Sequence, residues 1–396
     1  MDSTAAPRVL LTIPAYWPAV AYGGPVRKAR GLAEAMSEQG AEVTVLTSTL
    51  LDLGRRLSRR TMKRKVGPVR VVYLATPFRF RWSPVCPGAP AWCRAHLGSF
   101  DVVHVMGYRD TIGLAAARAA GRRNVPLVFE PLGMFRPWNR SLAAKRMYDR
   151  AVGSALATRA SAVVATSSLE RRELSETGVD PAKILVRPNG VDVRALEHLP
   201  ERGALRRQLG IEADAPVLLF LGRMSRPKGV WMLTEPLAGL DGAHLVVAGP
   251  DGADGAREEL IHAARNRGVE DRVKLTGALD SEGVRQALAD ADALALPSAG
   301  ESFGNAAAEA VAAGLPVVLT DRCGVAEFLG GAALVVPYEI SAVAEGVRAV
   351  LTDARLRARM AEARDEVVAR LRWDSVAAWQ LNLYRTLLRG RRGSGR

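Results

Sequence analysis

Residues Ser298 to Val318 read SAGESFGNAAAEAVAAGLPVV, and this stretch decides how the rest of the chain is read. A glycine-punctuated loop carries Glu301, Ser302-Phe303-Gly304 leads into an Ala-rich run, and a second carboxylate, Glu309, follows eight positions after the first. Ala is the best helix former, and Gly just past the last turn is a common stop. The run therefore predicts one short helix from Asn305 to Ala313, ended by Gly314 and Pro316, and then a strand from Pro316. The amino end of such a helix presents free N–H groups and the positive end of the dipole, a ready site for phosphate or a sugar hydroxyl. Were the whole span helical, a rise of about 1.5 Å per residue would put the two carboxylates roughly 12 Å apart. That exceeds the separation of about 5–9.5 Å of a glycosidase pair. It suits two hydroxyl-rich groups joined by a diphosphate, because one carboxylate can accept from two vicinal hydroxyls.

Working outward, the carboxyl half alternates strand and helix, and its strands end in Gly-containing loops. Pro216–Leu221 runs into GRMSRPKGV, His244–Ala248 into GPDG, Val273–Thr276 into GALD, Ala293–Leu296 into PSAGESFG and Pro316–Thr320 into DRCG. The amino half shows the same alternation, with strands at Arg8–Ile13, Glu42–Thr47, Val69–Ala75, Asp101–Met106, Pro126–Glu130, Ala162–Thr166 and Ile184–Arg187. Gly23-Gly24 falls between the first strand and a helix that starts at Pro25. The fold class expected is α/β, two doubly wound parallel sheets with ligands at the carboxyl ends of their strands. A length of 396 residues fits two domains. The boundaries expected are 1–192 and 193–372, with 373–396 as a closing amphipathic helix, carrying Trp373, Val376, Trp379, Leu383, Tyr384 and Leu387 at helical spacing, and a basic tail. G-x-G-x-x-G is absent, which disfavours a dinucleotide site.

Net charge is +14 and unevenly placed: 29 Lys/Arg against 13 Asp/Glu up to Gly190, and 26 against 28 beyond it. The densest run, Arg55, Arg56, Arg59, Arg60, Lys63, Arg64 and Lys65, reads either as a solvated loop or as a contact for an anionic membrane surface. No aromatic-interleaved platform or zinc-finger spacing accompanies it, so nucleic acid is not expected as a partner. Cys86, Cys93 and Cys323 form no C-x-x-C pair, and no apolar stretch approaches about 18 residues. Buried thiols, a cytoplasmic setting and no membrane span are expected. Asp290-Ala291-Asp292 precedes a buried strand and reads as structural, so neither a metal nor another cofactor is expected.

Arg223 and Lys228, five apart after a buried strand, can bring two fixed charges to one anion, and a diphosphate leaving group needs this because charge develops on its bridging oxygen. Together with YGGPVR, DVVHV, RPNGVD, FLGRMSRPKG, VVAGPDG and ESFGNAAAEAVAAGLPVV, this half-by-half pattern resembles the retaining nucleotide-sugar glycosyltransferases of the GT-B fold, the glycogen-synthase-like, family 4-type group. The resemblance covers nearly the whole chain. Its most specific piece is E-x7-E, Glu301 and Glu309, with Phe303-Gly304 after the first Glu. It implies two Rossmann-like domains facing across a cleft, the first binding the acceptor and the second a nucleotide diphosphate sugar, here taken as a UDP-sugar. By the same resemblance Arg223 and Lys228 hold the diphosphate, Glu301 with the Ser302, Phe303, Gly304 and Asn305 backbone holds the donor sugar, and Glu309 the ribose. Gly24 lies near the phosphates, and Gly277 and Leu279 near the base. Anomeric retention without a protein nucleophile and without a metal is also implied.

The chain departs from that group on the acceptor side. Many relatives carry H-x-H where this sequence has His104 and Met106, and a histidine where it has Pro131-Leu132-Gly133. His104 within an apolar strand can equally point into the fold. Arg109, Glu130 and Arg136 are the other acceptor-side candidates. The acceptor expected is a small-molecule hydroxyl, such as an aminocyclitol antibiotic precursor, because the basic run lacks a continuous apolar face for insertion. A lipid-linked or envelope glycan is the alternative. An epimerase or phosphorylase on the same fold, or a non-catalytic nucleotide-sugar binder, are the competing readings, and the intact Glu301, Glu309, Arg223 and Lys228 weigh against the last.

Overall fold

The computed structural model describes residues 6–135 and 154–393, so Arg136 lies outside the described residues. The chain divides into two compact units, Met1–Gly190 with Trp373–Arg396, and Val191–Arg372. The first unit is built on strands β1 (Arg8–Thr12), β2 (Glu42–Ser48), β3 (Met62–Val66), β4 (Val69–Leu74), β7 (Val102–Met106), β8 (Leu127–Glu130), β9 (Ala162–Ala165) and β10 (Ile184–Val186), with a small separate hairpin of β5 (Phe78–Phe80) and β6 (Ser83–Val85). Their order in the sheet is β10-β9-β8-β7-β1-β2-β4-β3. β7 and β8 are buried at every residue, as a parallel sheet covered on both faces requires.

The second unit has one parallel sheet of β11 (Val217–Leu221), β12 (His244–Ala248), β13 (Val273–Gly277), β14 (Ala293–Leu296), β15 (Val317–Thr320) and β16 (Leu334–Val336), ordered β13-β12-β11-β14-β15-β16. In both sheets the order reverses beside the first strand of the unit, between β1 and β7 and between β11 and β14. Loops leaving the carboxyl ends on either side of such a switch diverge and leave a crevice, the usual ligand position in an open α/β sheet.

Three expected strands began on a proline, and each forms one residue later, at Leu127, Val217 and Val317. Proline has no N–H to give to a ladder, but its carbonyl still serves: those of Pro126, Pro216 and Pro316 accept from Val103, His244 and Leu294 at 3.0, 2.8 and 2.9 Å. The basic run departs more from the sequence reading. Lys63, Arg64 and Lys65 belong to β3, which pairs antiparallel with β4 and closes the sheet edge with charge. Gly67, at φ +56°, makes the turn between the two strands. The 5–6 hairpin and β16 have three residues per strand, too few for periodicity to register.

Two of the first unit's helices pack against each other. Gly24–Glu38 has Pro25 in its first turn and buries Val26, Ala29, Leu32, Ala33 and Met36. The helix Trp373–Gly393 packs against it, burying Val376, Ala377, Leu381, Leu383 and Tyr384. Glycines permit the contact, because a Cβ on Gly31 or Gly190 would fall 2.3 or 2.2 Å from the Trp373 indole.

Candidate functional site

The carboxyl edge of the second sheet is assembled by close backbone approach. After β11, residues Arg226–Lys228 make a single 3-10 turn that ends at Gly229, φ +60°. A side chain on Gly229 would place its Cβ 2.2 Å from the Pro297 carbonyl oxygen, so only glycine lets this loop lie against the loop that leaves β14. Ala299 N–H donates to Pro227 at 2.8 Å and closes the join. The result is a direct ion pair between Lys228 Nζ and Glu301 Oε2, both side chains partly exposed. Burial pushes the Lys228 ammonium below its ordinary pKa, and the Cys323 sulfur beside it pulls the other way.

Glu301 is held by a second seam. Its N–H donates to Arg322 at 3.0 Å, its carbonyl accepts from Gly324 at 2.9 Å, and Phe303 accepts from Val325 at 2.7 Å. The loop after β14 thus lies along the loop after β15 like a short extra strand pair. Phe303 is buried, its ring centroid 6.0 Å from that of Phe328. Gly304, at φ +110°, turns the chain into the helix Asn305–Ala312, on which Glu309 is half-buried. The helix stops at Gly314, φ +82°. Because residues 301–304 are loop, the separation expected of a continuous helix does not apply to the two carboxylates. Arg223, exposed, leaves the same loop as Lys228 nearer the strand, where Met224 pairs with the β12 loop through Pro250 and Gly252 at 2.9 and 2.6 Å. Gly277 ends β13 at φ +71° with Leu279 half-buried two residues on.

Asp290 and Asp292 are bound into the second unit's frame. Asp290 caps the helix Ala204–Leu209, accepting from the N–H groups of Gly203, Leu205 and Arg206, and Asp292 takes Arg202, the Arg206 guanidinium at 2.8 Å and Val217 N–H at 2.8 Å. Among the described residues no group of three or more His, Cys, Asp or Glu is placed to hold a metal ion.

In the first unit Gly23, φ +71°, precedes Gly24 at the start of the helix beside the β1/β7 switch. His104 and Glu130, expected on the acceptor side, are both fully buried. Glu130 takes the Arg187 guanidinium at 2.8 and 3.0 Å, the Lys28 ammonium, and His104 Nε2 at 3.2 Å, while His104 Nδ1 lies 2.7 Å from the Tyr384 hydroxyl. Burial alone would raise the Glu130 pKa; Arg187 and Lys28 overcome it and hold the carboxyl well below its ordinary range. Burial lowers His104 and Lys28 and raises Tyr384. These groups brace the sheet from within: Glu130, His104, Arg187 and Tyr384 are fully buried, and Lys28 is nearly so. Arg109, φ +62°, stacks over Tyr108 at 4.4 Å and donates to the carbonyls of Met134 and Phe135, pinning the loop after β8.

Comparison with known proteins places this geometry. The family described as "Glycosyl transferases group 1" matches residues 201–367, and "Glycosyl transferase 4-like domain" matches residues 23–190. A D-inositol 3-phosphate glycosyltransferase of Xylanimonas cellulosilytica is 35% identical over 313 residues, 72% of each chain. The chain belongs to the family 4-type glycosyltransferases. A phosphatidyl-myo-inositol mannosyltransferase of Mycobacterium leprae is 31% identical over 265 residues, 64% of this chain and 62% of that one. Among solved structures, Anabaena HepE in complex with UDP and glucose matches at TM-score 0.71 and 20% identity over 95% of this chain and 99% of that one, and a sucrose-phosphate synthase of Thermosynechococcus elongatus matches at 0.71 and 20%, over 97% and 100%. The fold is GT-B, and this glycosyltransferase uses a nucleotide sugar. The curated relatives named here act on inositol compounds rather than on aminocyclitol antibiotic precursors.

The sequence gives little sign of the roles of Lys28, Arg187 and Glu170, and Tyr384 reads there only as a packing residue of the closing helix. Arg187 carried the one available signal, a charge at the end of the apolar run Ile184–Val186. Glu170 Oε1 accepts from Gly133 N–H at 2.6 Å and Oε2 from Thr166 N–H and Oγ1 at 2.7 Å, tying the loop after β8 to the end of β9.

Proposed function

We propose that the second unit binds a UDP-sugar and that the enzyme transfers the sugar, with retention of anomeric configuration, to a ring hydroxyl of a cyclitol. The observation that carries the donor site is the Lys228–Glu301 ion pair at the β11/β14 switch, with Arg223 on the same loop. Donor binding exchanges that pair for two charge-assisted contacts: Lys228 and Arg223 take the diphosphate, and Glu301 takes vicinal hydroxyls of the sugar, with the Ser302–Asn305 backbone alongside. Two fixed cations at the bridging oxygen stabilise the charge that develops as the glycosidic bond breaks, so no metal is needed for that step. The leaving phosphate accepts the acceptor proton on the face it vacates. Glu309 takes the ribose, and Gly277 and Leu279 border the base.

The first unit binds the acceptor. Its excess of positive charge favours one bearing phosphate, and relatives named for a free inositol phosphate and for phosphatidyl-myo-inositol share the inositol ring. A panel of myo-inositol phosphates, phosphatidylinositol in vesicles and an aminocyclitol, each with several UDP-sugars, separates soluble from lipid-borne acceptors by product mass. Glu301→Ala is expected to abolish transfer while UDP still binds. Unchanged turnover in that variant overturns the donor assignment.

A further inference from the structure

Among the described residues eight large apolar side chains are exposed: Trp17, Val20, Leu53, Phe78, Phe80, Trp82, Val335 and Ile340. The first six lie on segments that leave the carboxyl ends of β1, β2 and β4, which are adjacent in the sheet. Far apart in sequence, these segments are joined in space. Tyr73 Oη donates to the Trp17 carbonyl at 2.6 Å, Arg56 Nη1 to that of Thr76 at 3.1 Å, and the Tyr22 phenol lies within electrostatic reach of both Asp52 and Arg79. Phe78 and Phe80, exposed at 61% and 65%, stand on a two-stranded hairpin.

Arginine interleaves this apolar set. Residues 78–82 read FRFRW, and the segment after β2 adds Arg55, Arg56, Arg59 and Arg60. Across 13–23, 49–61 and 75–85 the six arginines face one acidic residue, Asp52, which pairs with Arg55. Arg59, Arg60, Arg79 and Arg81 make no ion pair among the described residues. Aromatic rings and aliphatic side chains alternating with arginine suit the boundary between lipid headgroups and acyl chains, where rings enter and guanidinium groups meet phosphates.

We propose that this edge of the first unit docks on an anionic lipid surface, with Phe78, Phe80, Trp82 and Leu53 entering the headgroup boundary. A second copy of the chain is a poor occupant, because a self-complementary contact would bring the arginine-rich face onto itself. A nucleic acid would stack on the rings but has no use for Val20 and Leu53. The basic run alone offers no apolar face. Three loops supply it together, and the surface stands whichever soluble or lipid-borne acceptor is used.

Co-sedimentation of the full chain with vesicles tests this, using phosphatidylcholine alone and phosphatidylcholine mixed with phosphatidylglycerol, at low and physiological salt. Binding to the mixed vesicles only is expected, and the doubly substituted Phe78→Ser, Phe80→Ser protein should lose roughly tenfold or more of it with its thermal melt unchanged. Arg79→Gln with Arg81→Gln should weaken binding and flatten its salt dependence. Arg122→Gln with Arg123→Gln, exposed arginines on another helix, should leave it intact. The proposal is overturned if the parent protein ignores anionic vesicles, if the phenylalanine variant binds like the parent, or if the Arg122/Arg123 variant loses as much. Phenylalanine-dependent self-association or oligonucleotide binding without vesicle binding also overturns it.

Discussion

Replacing Gly229 by alanine tests the architecture of the donor edge more sharply than removing a charge does. The new Cβ would sit 2.2 Å from Pro297 O and 3.3 Å from Met232 Sδ, so the loops carrying Lys228 and Glu301 must part by about 1 Å to reach ordinary van der Waals contact. Holding alanine in the left-handed region costs about 1 kcal/mol and the overpacking about 1–3, together roughly 2–4 kcal/mol of strain. The strain falls on the join between Lys228 and Glu301. A displacement of about 1 Å at a reacting centre is enough for a loss on the order of 10²-fold in transfer rate. UDP affinity by calorimetry, transfer rate and thermal melting are measured together. The control is Gly268→Ala in the same unit, at φ +66° with nothing within 4 Å of its added Cβ, which suffers the backbone strain without the collision. The reasoning is refuted if Gly229→Ala binds UDP and turns over like the parent, or if Gly268→Ala loses as much.

Two further outcomes are expected in the first unit. Glu130→Gln removes the one anion that, among the described residues, pairs with the buried Arg187 and Lys28, so chemical denaturation should show a loss of about 3–5 kcal/mol, whereas an effect below about 1 kcal/mol would mean that the cluster is not held by its charge. Asp110 caps the helix Thr111–Arg123, and burial raises its pKa from 3.8 to about 6. The folded chain therefore binds that proton more tightly than the unfolded chain, and this contribution, present at acid pH, is lost as pH rises through about 6. Asp110→Asn keeps a capping oxygen without the titration, so it should exceed the parent in stability by up to about 3 kcal/mol above pH 7 and converge with it below about pH 4. Parallel stability–pH curves for the two proteins would contradict this.

Local signals account for what was legible beforehand. The helix after Gly304 follows from its alanines and its terminal glycine, and the strands of both sheets follow from short apolar runs closed by glycine loops; these are properties of neighbours in sequence. Lys63, Arg64 and Lys65 misled because a charged edge strand has the composition of a loop. Glu130 and His104 looked like site residues because a polar group ending a buried strand beside a switch point is commonly aimed at a ligand. Their partners Lys28, Arg187 and Tyr384 come from three separated elements, and sequence spacing gives no sign that they converge.

The sequence by itself determined the fold class and most of the strands and their loops, and it singled out Arg223, Lys228, Glu301 and Glu309, the residues proposed for the donor edge, because each of these signals depends on residues within one loop or one helix. Tertiary structure decided which of the polar groups at the other edge are buried, and it gathered Trp17, Leu53, Phe78, Phe80 and Trp82 onto one arginine-rich face. Both depend on which strands lie side by side. Parallel strands are joined through crossovers, so their loops meet only when the whole sheet has formed.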